Sequence, residues 1–537
     1  MDDVGDGASS FMRGSFALFV GNFASLIVMA AGSILVARML SPSDYGLYGV
    51  SLVLPELFLL FSGWGIDAAL TRFLARYKVE GKLGMIRVLE RAALLFKFGV
   101  GGVLSLALFL SADFLAVVLL KRPGAGGLVR LASLLVVFQS LYSTVASGLA
   151  GLERMNLRAA VSVLQAVVKG ASSPLLVYLG FGVSGPLIGH LAGYVAASLF
   201  GIFLMISAVQ VERRVDEESL AIGDVLGMML GFGVPLFLGG LVAGFAGRLQ
   251  GFLLSWFVSD VDFGNYHVAL NFTMLVGLVT GSLAVTLFPA FSRLSHALEP
   301  DEAREIFRGS VRYSTMFVVP MICLLVAVSE PMIFVLYSSR YPQAPLLMSL
   351  LLVPTLLVGF GSLSIGSFFN SQGDTGVSLR VGLVSSAVSI IVSPVLVWVW
   401  GVFGLAVSII VSSVFGSVFG LYMFNKRYDF YPDLGHTMRT LLSSLVSAGL
   451  SFGVIRLLSG GGSFVSLLFG SGFFAVAYLF LAPVTGAVEE RDIVNLDSML
   501  RSLAVVYPFA HTLLGFERKI IRLIAGFKKD TRRFSSH

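Results

Sequence analysis

The stretch "SPSDYGLYGVSL", Ser41 to Leu52, has an echo at Val261–Leu270, which reads "VDFGNYHVAL". Lined up, the two share Asp44/Asp262, Gly46/Gly264, Tyr48/Tyr266, Val50/Val268 and Leu52/Leu270. An aromatic residue recurs at Tyr45/Phe263 and a small one at Ser51/Ala269, always 218 positions apart. The likeness continues as "TRFLAR" falls opposite "PAFSRL", with Phe73 and Phe291 keeping the spacing. Farther on, "GVSG" (182–185) matches "GVFG" (401–404) at an offset of 219. Turn residues such as Gly and Asp produce single coincidences by chance, but two separate matches at nearly one offset point to an internal duplication.

Composition says where such a chain lives. Of its 537 residues, 56% are hydrophobic and only 13% are charged, whereas soluble chains carry about a quarter charged residues. The mean hydropathy is +0.90. This is a membrane-embedded chain. A single cysteine, Cys323, excludes a disulfide framework and a thiolate metal site. The acidic opening "MDDVGDGASS" does not read as a cleaved signal peptide.

A membrane-spanning helix needs about 20 mainly apolar residues. Fourteen candidates are visible, near 14–37, 46–66, 92–117, 128–150, 159–180, 184–207, 225–256, 266–288, 314–337, 344–369, 377–399, 403–424, 440–458 and 464–486. Backbone amides cannot stay unpaired in lipid, so spans are helices or barrel strands. These continuous apolar runs lack the alternation of barrel strands, so the expected fold is all-α. With the N-terminus inside, the outer loops hold only Arg38, Lys121, Arg122, Arg130, Arg340 and Arg456. Lys97, Lys169 and Arg248 fall within spans, and the rest of the 37 basic residues fall on the inner side. That bias places both termini in the cytoplasm. The net charge of +6 is a topology signal and gives no reason to propose nucleic acid as a partner.

Six spans separate the repeats, an even number, so the two halves share one orientation. The expectation is two parallel six-helix lobes, 1–207 and 225–424, joined by a cytoplasmic linker at 208–224. Helices 13 and 14 (425–490) and a basic cytoplasmic or interfacial tail (491–537) follow. Transporters built on parallel repeats bind substrate at the repeat interface and rock one half against the other.

The residues also resemble a family. "LVARMLSPSDYGLY" followed by "GWGIDAALTRFLARY" is similar to the opening signature of the oligosaccharide and polysaccharide flippases of the MOP (multidrug/oligosaccharidyl-lipid/polysaccharide) exporter superfamily. The matching positions are Ala37, Arg38, Leu40, Pro42, Tyr45 and Gly46, then Gly65, Arg72, Ala75, Arg76 and Tyr77. "GFGVPLFLGGL" (231–241), "FGNYHVA" (263–269) and "YPQAPLLMSLLL" (341–352) resemble the family's later blocks. Many relatives carry an aspartate two residues after the arginine of span seven. This chain has Gln250 there, so the resemblance transfers no ion-coupling carboxylate to that position.

The resemblance implies that the protein moves a polyprenyl-(pyro)phosphate-linked oligosaccharide from the cytoplasmic to the outer leaflet of the plasma membrane. The head group cannot cross hydrocarbon uncompensated, while the lipid tail gains nothing by leaving it. Charged residues in spans are costly and face cavities by default, so they are the first candidates. Arg248 lies about eight residues from the outer end of span seven, roughly 12 Å deep, and a guanidinium suits phosphate oxygens; its bland alternative is a structural ion pair. Glu56, after Pro55, is a protonatable coupling site, a partner of Arg248, or helix–helix glue. Lys169 and Lys97 either snorkel on their long stems or serve a cavity. Asn22, Gln250 and Asn271 line the expected interface or bond between helices. Arg72 and Arg76 anchor the inner end of span two or receive the pyrophosphate. Pro235, Gly239 and Gly240 are expected to bend the long seventh span.

The tail begins with an apolar stretch, 502–516, read as interfacial. "ERKIIRLIAGFKK" follows, with Ile520, Ile521, Leu523, Ile524 and Phe527 opposite Lys519, Arg522, Lys528 and Lys529. That is a basic amphipathic helix for an anionic leaflet of membrane lipids, with docking of a pathway glycosyltransferase or polymerase as a second use. No Walker A motif is present and the six histidines lack metal-ligand spacing, so neither an enzyme nor a cofactor is expected. Two rival readings remain. One is a multidrug or cation antiporter of the same superfamily, and the other is a non-transporting scaffold for cell-envelope assembly.

Overall fold

The computed structural model describes residues 2–210, 220–292, 300–429, 431–500 and 507–534. Among them every regular element is helical. The chain runs α1 (Asp2–Met39), α2 (Pro42–Leu60), α3 (Ile66–Val79), α4 (Leu83–Val118), α5 (Gly126–Gly151), α6 (Met155–Leu176), α7 (Ser184–Gln210), α8 (Ile222–Phe257) and α9 (Asp260–Ser292). It continues with α10 (Pro300–Ala327), α11 (Ser329–Tyr337), α12 (Ala344–Leu352), α13 (Ser362–Ser371), α14 (Thr375–Tyr428), α15 (Leu434–Leu457), α16 (Ser463–Thr485), α17 (Glu490–Leu500) and α18 (Tyr507–Phe534). Eleven helices are long and apolar enough to cross a membrane, or twelve when the bent pair Ala344–Phe360 and Ser362–Ser371 is one span. The difference from the expected fourteen has two causes. α14 is one helix of 54 residues that carries expected spans eleven and twelve across a kink at Gly401. α2 has only 19 residues, with Asp44 and Glu56 inside it, and is not among the apolar spans.

The duplicated motifs fold alike. Ser41 caps α2 by accepting from the Asp44 amide at 3.1 Å while donating to the Asp44 carboxylate at 2.8 Å. Ser259 does the same for Asp262, at 3.2 and 2.7 Å, at the start of α9. Such caps satisfy amides that a helix start leaves unpaired. Tyr45 and Phe263 are both buried, as are Tyr48 and Tyr266, and Val50 and Val268. A Cβ on Gly46 would overlap the Asp260 carbonyl, and one on Gly264 would overlap the Pro42 carbonyl. The two copies therefore cross each other backbone to backbone, each glycine making room for the other copy. The second motif is equally faithful. Gly182 has φ 53°, ψ −134° and Gly401 has φ 57°, ψ −132°, a region that favours glycine. The chain turns sharply there in both copies. Pro235, Gly239 and Gly240 do not break α8, which is continuous from Ile222 to Phe257.

The chain forms two compact units, residues 1–271 with 389–405, and residues 272–388 with 406–537. The first is knit by α6 against α1 and α7, and by α5 against α3, α4 and α7. Ile66, Leu70, Leu74, Leu89 and Leu149 are fully buried there, with Val225 and Met229 of α8 packed among them. In the second unit Phe291, Phe307, Phe368, Phe369 and Phe424 form an aromatic core, Phe307 stacking on Phe424 at 4.4 Å. α18 packs on α16 and α17, burying Leu514 and Ile520. Leu523, expected on the apolar face, is exposed. The side chains of Ile524, Phe527, Lys528 and Lys529, and residues 501–506, lie outside the described residues.

Candidate functional site

The first unit encloses a cavity of about 690 Å³, lined from α1, α2, α3, α4, α5, α6, α7 and α8. Its lining is mixed: Leu59, Leu60, Leu236 and Phe237 supply apolar surface, Asn22, Gln139 and several serines supply amides and hydroxyls, and Arg158, Arg248, Lys97 and Asp67 supply charge. Arg248 lines this wall, half-buried, and donates from Nε to the Glu56 carbonyl at 2.9 Å and from Nη1 to the Gly244 carbonyl at 3.1 Å. Neither acceptor is a carboxylate. A guanidinium has five N–H donors, so three remain for an anion. Arg158, near the start of α6, lines the same cavity without an ion pair among the described residues.

Lys97 does not snorkel. It is 1% exposed, with Nζ 2.9 Å from Asp67 Oδ2. Ser143 donates to the same oxygen at 2.8 Å, and Thr144 donates to Oδ1 at 2.9 Å. A buried ion pair is tolerated when further hydrogen bonds satisfy it, and here they do.

Other expected residues gather in a second cluster. The exposed Glu56 side chain lies within electrostatic reach of Arg248 and Lys169. Lys169 Nζ is 3.3 Å from His190 Nε2, and His190 Nδ1 is 3.4 Å from the Tyr48 hydroxyl. A charged Lys169 makes Nε2 the acceptor, which leaves Nδ1–H to donate to Tyr48. His267 meets Tyr45 edge-on at 5.3 Å. Asn271 donates to Ser33 Oγ at 3.1 Å and to the Tyr45 hydroxyl at 3.5 Å. Gln250 does not line the cavity. Neither do Arg72 and Arg76: Arg72 stacks over Phe232 at 4.3 Å, and Arg76 is an exposed partner of Glu80 at 2.7 Å.

Asp67, Arg158, His190 and His267 were not singled out from sequence. Arg158 reads there as another inner-side topology charge. Asp67 sits in the quoted "GWGIDAAL" block, where a carboxylate just past an apolar run was the available signal.

Residues 35–346 match the polysaccharide biosynthesis protein family. The chain belongs to that family. It is similar to the probable low-salt glycan biosynthesis flippase Agl15 of Haloferax volcanii, 20% identical over 493 residues, covering 90% of this chain and 98% of Agl15. The succinoglycan biosynthesis transport protein ExoT of Rhizobium meliloti is 27% identical over 315 residues, covering 58% and 59%. Among solved structures, the lipid II flippase MurJ in an inward closed conformation superposes with a TM-score of 0.66 at 15% identity, covering 87% of this chain and 98% of that one. An inward-facing MATE family transporter of the MOP superfamily follows at 0.62 and 16%, covering 75% and 94%. The fold is that of the MOP-superfamily transporters, and the chain is a multi-pass membrane protein.

Proposed function

We propose that this protein carries a polyprenyl-(pyro)phosphate-linked oligosaccharide from the cytoplasmic to the outer leaflet of the plasma membrane, for glycan or polysaccharide export. The observation that carries the reading is the pair Arg158 and Arg248, two guanidinium groups on one cavity wall without carboxylate partners among the described residues. A cation deep in a span costs about 2.5 kcal/mol or more on insertion scales, and an anionic phosphate linkage offsets that cost. The hydroxyl and amide lining suits the sugar. The lipid tail stays in the bilayer while two lobes, 1–207 and 225–424, alternate in access. The repeated caps and repeated glycine turns support such lobes. The inner-side charge bias supports cytoplasmic termini, with the basic tail against an anionic leaflet.

A drug-cation antiporter needs acceptors facing its cavity. Here Asp67 is the one carboxylate in the lining, and Lys97 and two hydroxyls already occupy it. A scaffold gives no reason for two arginines to face a cavity without an ion pair among the described residues. The test is reconstitution in vesicles with a fluorescent polyprenyl-pyrophosphate disaccharide added to one leaflet. Protein-dependent appearance in the other leaflet is expected. Transport of a lipophilic cation with no transfer of the glycolipid overturns the reading.

A further inference from the structure

The Asp67–Lys97 pair lies in the same cavity wall as Arg158 and Arg248, yet its chemistry differs from theirs. Neither arginine has a carboxylate within ion-pair distance among the described residues, whereas Lys97 has one at 2.9 Å. We propose that Lys97 is a further ligand for the anionic linkage, and that Asp67 is the positioning residue that holds its ammonium at the cavity wall. This rests on the reading of the cavity as an anion site.

Three observations carry it. First, Lys97 is 1% exposed but still lines the cavity, so its stem is packed and its head is at the wall. Second, Asp67 keeps a 26% exposed side chain toward the same space. Third, Asp67 is fixed independently of the lysine by Ser143 and Thr144 from α5, while Thr71 ties the Asp67 carbonyl to α5 through Ser147. A carboxylate held this way orients a lysine that would otherwise rotate freely. An ammonium has three donors, and the bond to Asp67 takes one of them, leaving others for a phosphate oxygen beside it. The ionisable groups that share the cavity lining with the pair are Tyr142 on α5, Arg158 on α6, Tyr194 on α7 and Arg248 on α8.

Removing both charges tests this without stranding either one. Binding of farnesyl pyrophosphate to the purified full-length protein is measured for wild type, Arg248→Ala, Asp67→Asn and the double variant Asp67→Asn/Lys97→Met. The double variant is expected to fold, since both charges leave together, and to bind about tenfold more weakly, as loss of one charge-assisted contact implies. Asp67→Asn is expected to bind several-fold more weakly than wild type although Lys97 remains, and Asp67→Glu, measured beside it, to recover part of the loss, because the carboxylate aims the ammonium. A pair with a purely structural role gives a double variant that binds as wild type does, or an Asp67→Asn variant that binds as tightly as wild type, and either result overturns the proposal. If Arg248→Ala also binds normally, or wild type does not bind at all, the cavity reading itself has failed. Weakening by Arg248→Ala alone leaves that reading standing and removes only Lys97 from it.

Discussion

The two compact units contain hollows, and the hollows differ in kind. The first unit's, about 690 Å³, carries Asp67, Lys97, Arg158 and Arg248 in its wall. The second unit has two: one of about 520 Å³ lined by the charged side chains of Asp301, Arg304, Arg308, Arg312, Arg491 and Asp492, and one of about 370 Å³ lined by Ser362, Asn370, Ser378, Ser385, Ser413 and Ser417 with glycine and apolar residues, with no charged side chain among its described lining. The scaffold is duplicated, down to serine caps and glycine turns, but the charge is not. Arg248 stands where the repeat has Ala30, and Asp67 stands opposite Val285. The repeat therefore preserves how the helices cross, while the charges of the first unit's hollow are not repeated at the aligned positions. If that hollow grips an anion, the neutral, hydroxyl-lined hollow has no comparable electrostatic role.

The largest effect separating the hollows is expected from Lys97→Met alone. It leaves the Asp67 carboxylate without its ammonium, and breaking one side of a buried pair costs about 3–5 kcal/mol. Thermal unfolding in detergent should show a large drop, restored in the double variant with Asp67→Asn. Ser413→Ala in the neutral hollow should change stability by no more than about 1 kcal/mol. Equal losses at both sites would erase the contrast.

Next in size is Arg158→Ala. With no ion pair to break, it should leave the melting temperature nearly unchanged but slow glycolipid transfer about tenfold through loss of a charge-assisted contact. A variant that melts early and still transports normally makes Arg158 structural.

The repeat itself predicts matched losses. Ser41→Ala and Ser259→Ala each remove one cap and should each cost about 0.5–2 kcal/mol, measured by the same unfolding assay. Losses that differ several-fold would show that the two caps are not equivalent in energy, whatever their geometry.

The smallest effect is a pH dependence in the tail. Burial and the nearby Asp492 push Glu517 on α18 up to about 7, whereas Arg76 and Lys82 hold the exposed Glu80 below its ordinary value. Packed, Glu517 holds its proton at pH values where a free glutamate has lost it. Stability of the packed tail should therefore fall as pH rises from the ordinary glutamate range through about 7, and level off above that. Hydrogen exchange of α18 should show this slope, and Glu517→Gln should flatten it. An unchanged slope in the variant assigns the effect to another group.

Much of this was legible in the chain. Apolar length located each expected span as helix, because lipid leaves the backbone no other choice. The echo at 218 residues marked two matching stretches, and the structure adds the equal caps, local chemistry written in Ser and Asp. The expectation for Arg248 rested on depth alone, and depth is readable from counting. Asp67, Arg158 and His190 were hidden for a different reason. Each gains its role from helices distant in sequence: Asp67 from Lys97 and Ser143, and His190 from Tyr48 and Lys169. Arg72 and Arg76, read as inner-side anchors or receivers of the pyrophosphate, stay out of the described cavity lining for the converse reason. Their local pattern suits an anion, but tertiary packing puts one over Phe232 and leaves the other at the surface with Glu80.

The most direct test of an anion grip by Arg248 is transfer of a polyprenyl-pyrophosphate sugar by Arg248→Lys and Arg248→Ala in matched vesicles, with equal amounts of folded protein. Lysine keeps the charge but loses the bidentate fork. Partial transfer is predicted for Arg248→Lys, and a loss of at least about tenfold for Arg248→Ala. Transfer at the wild-type rate by Arg248→Ala would contradict the grip.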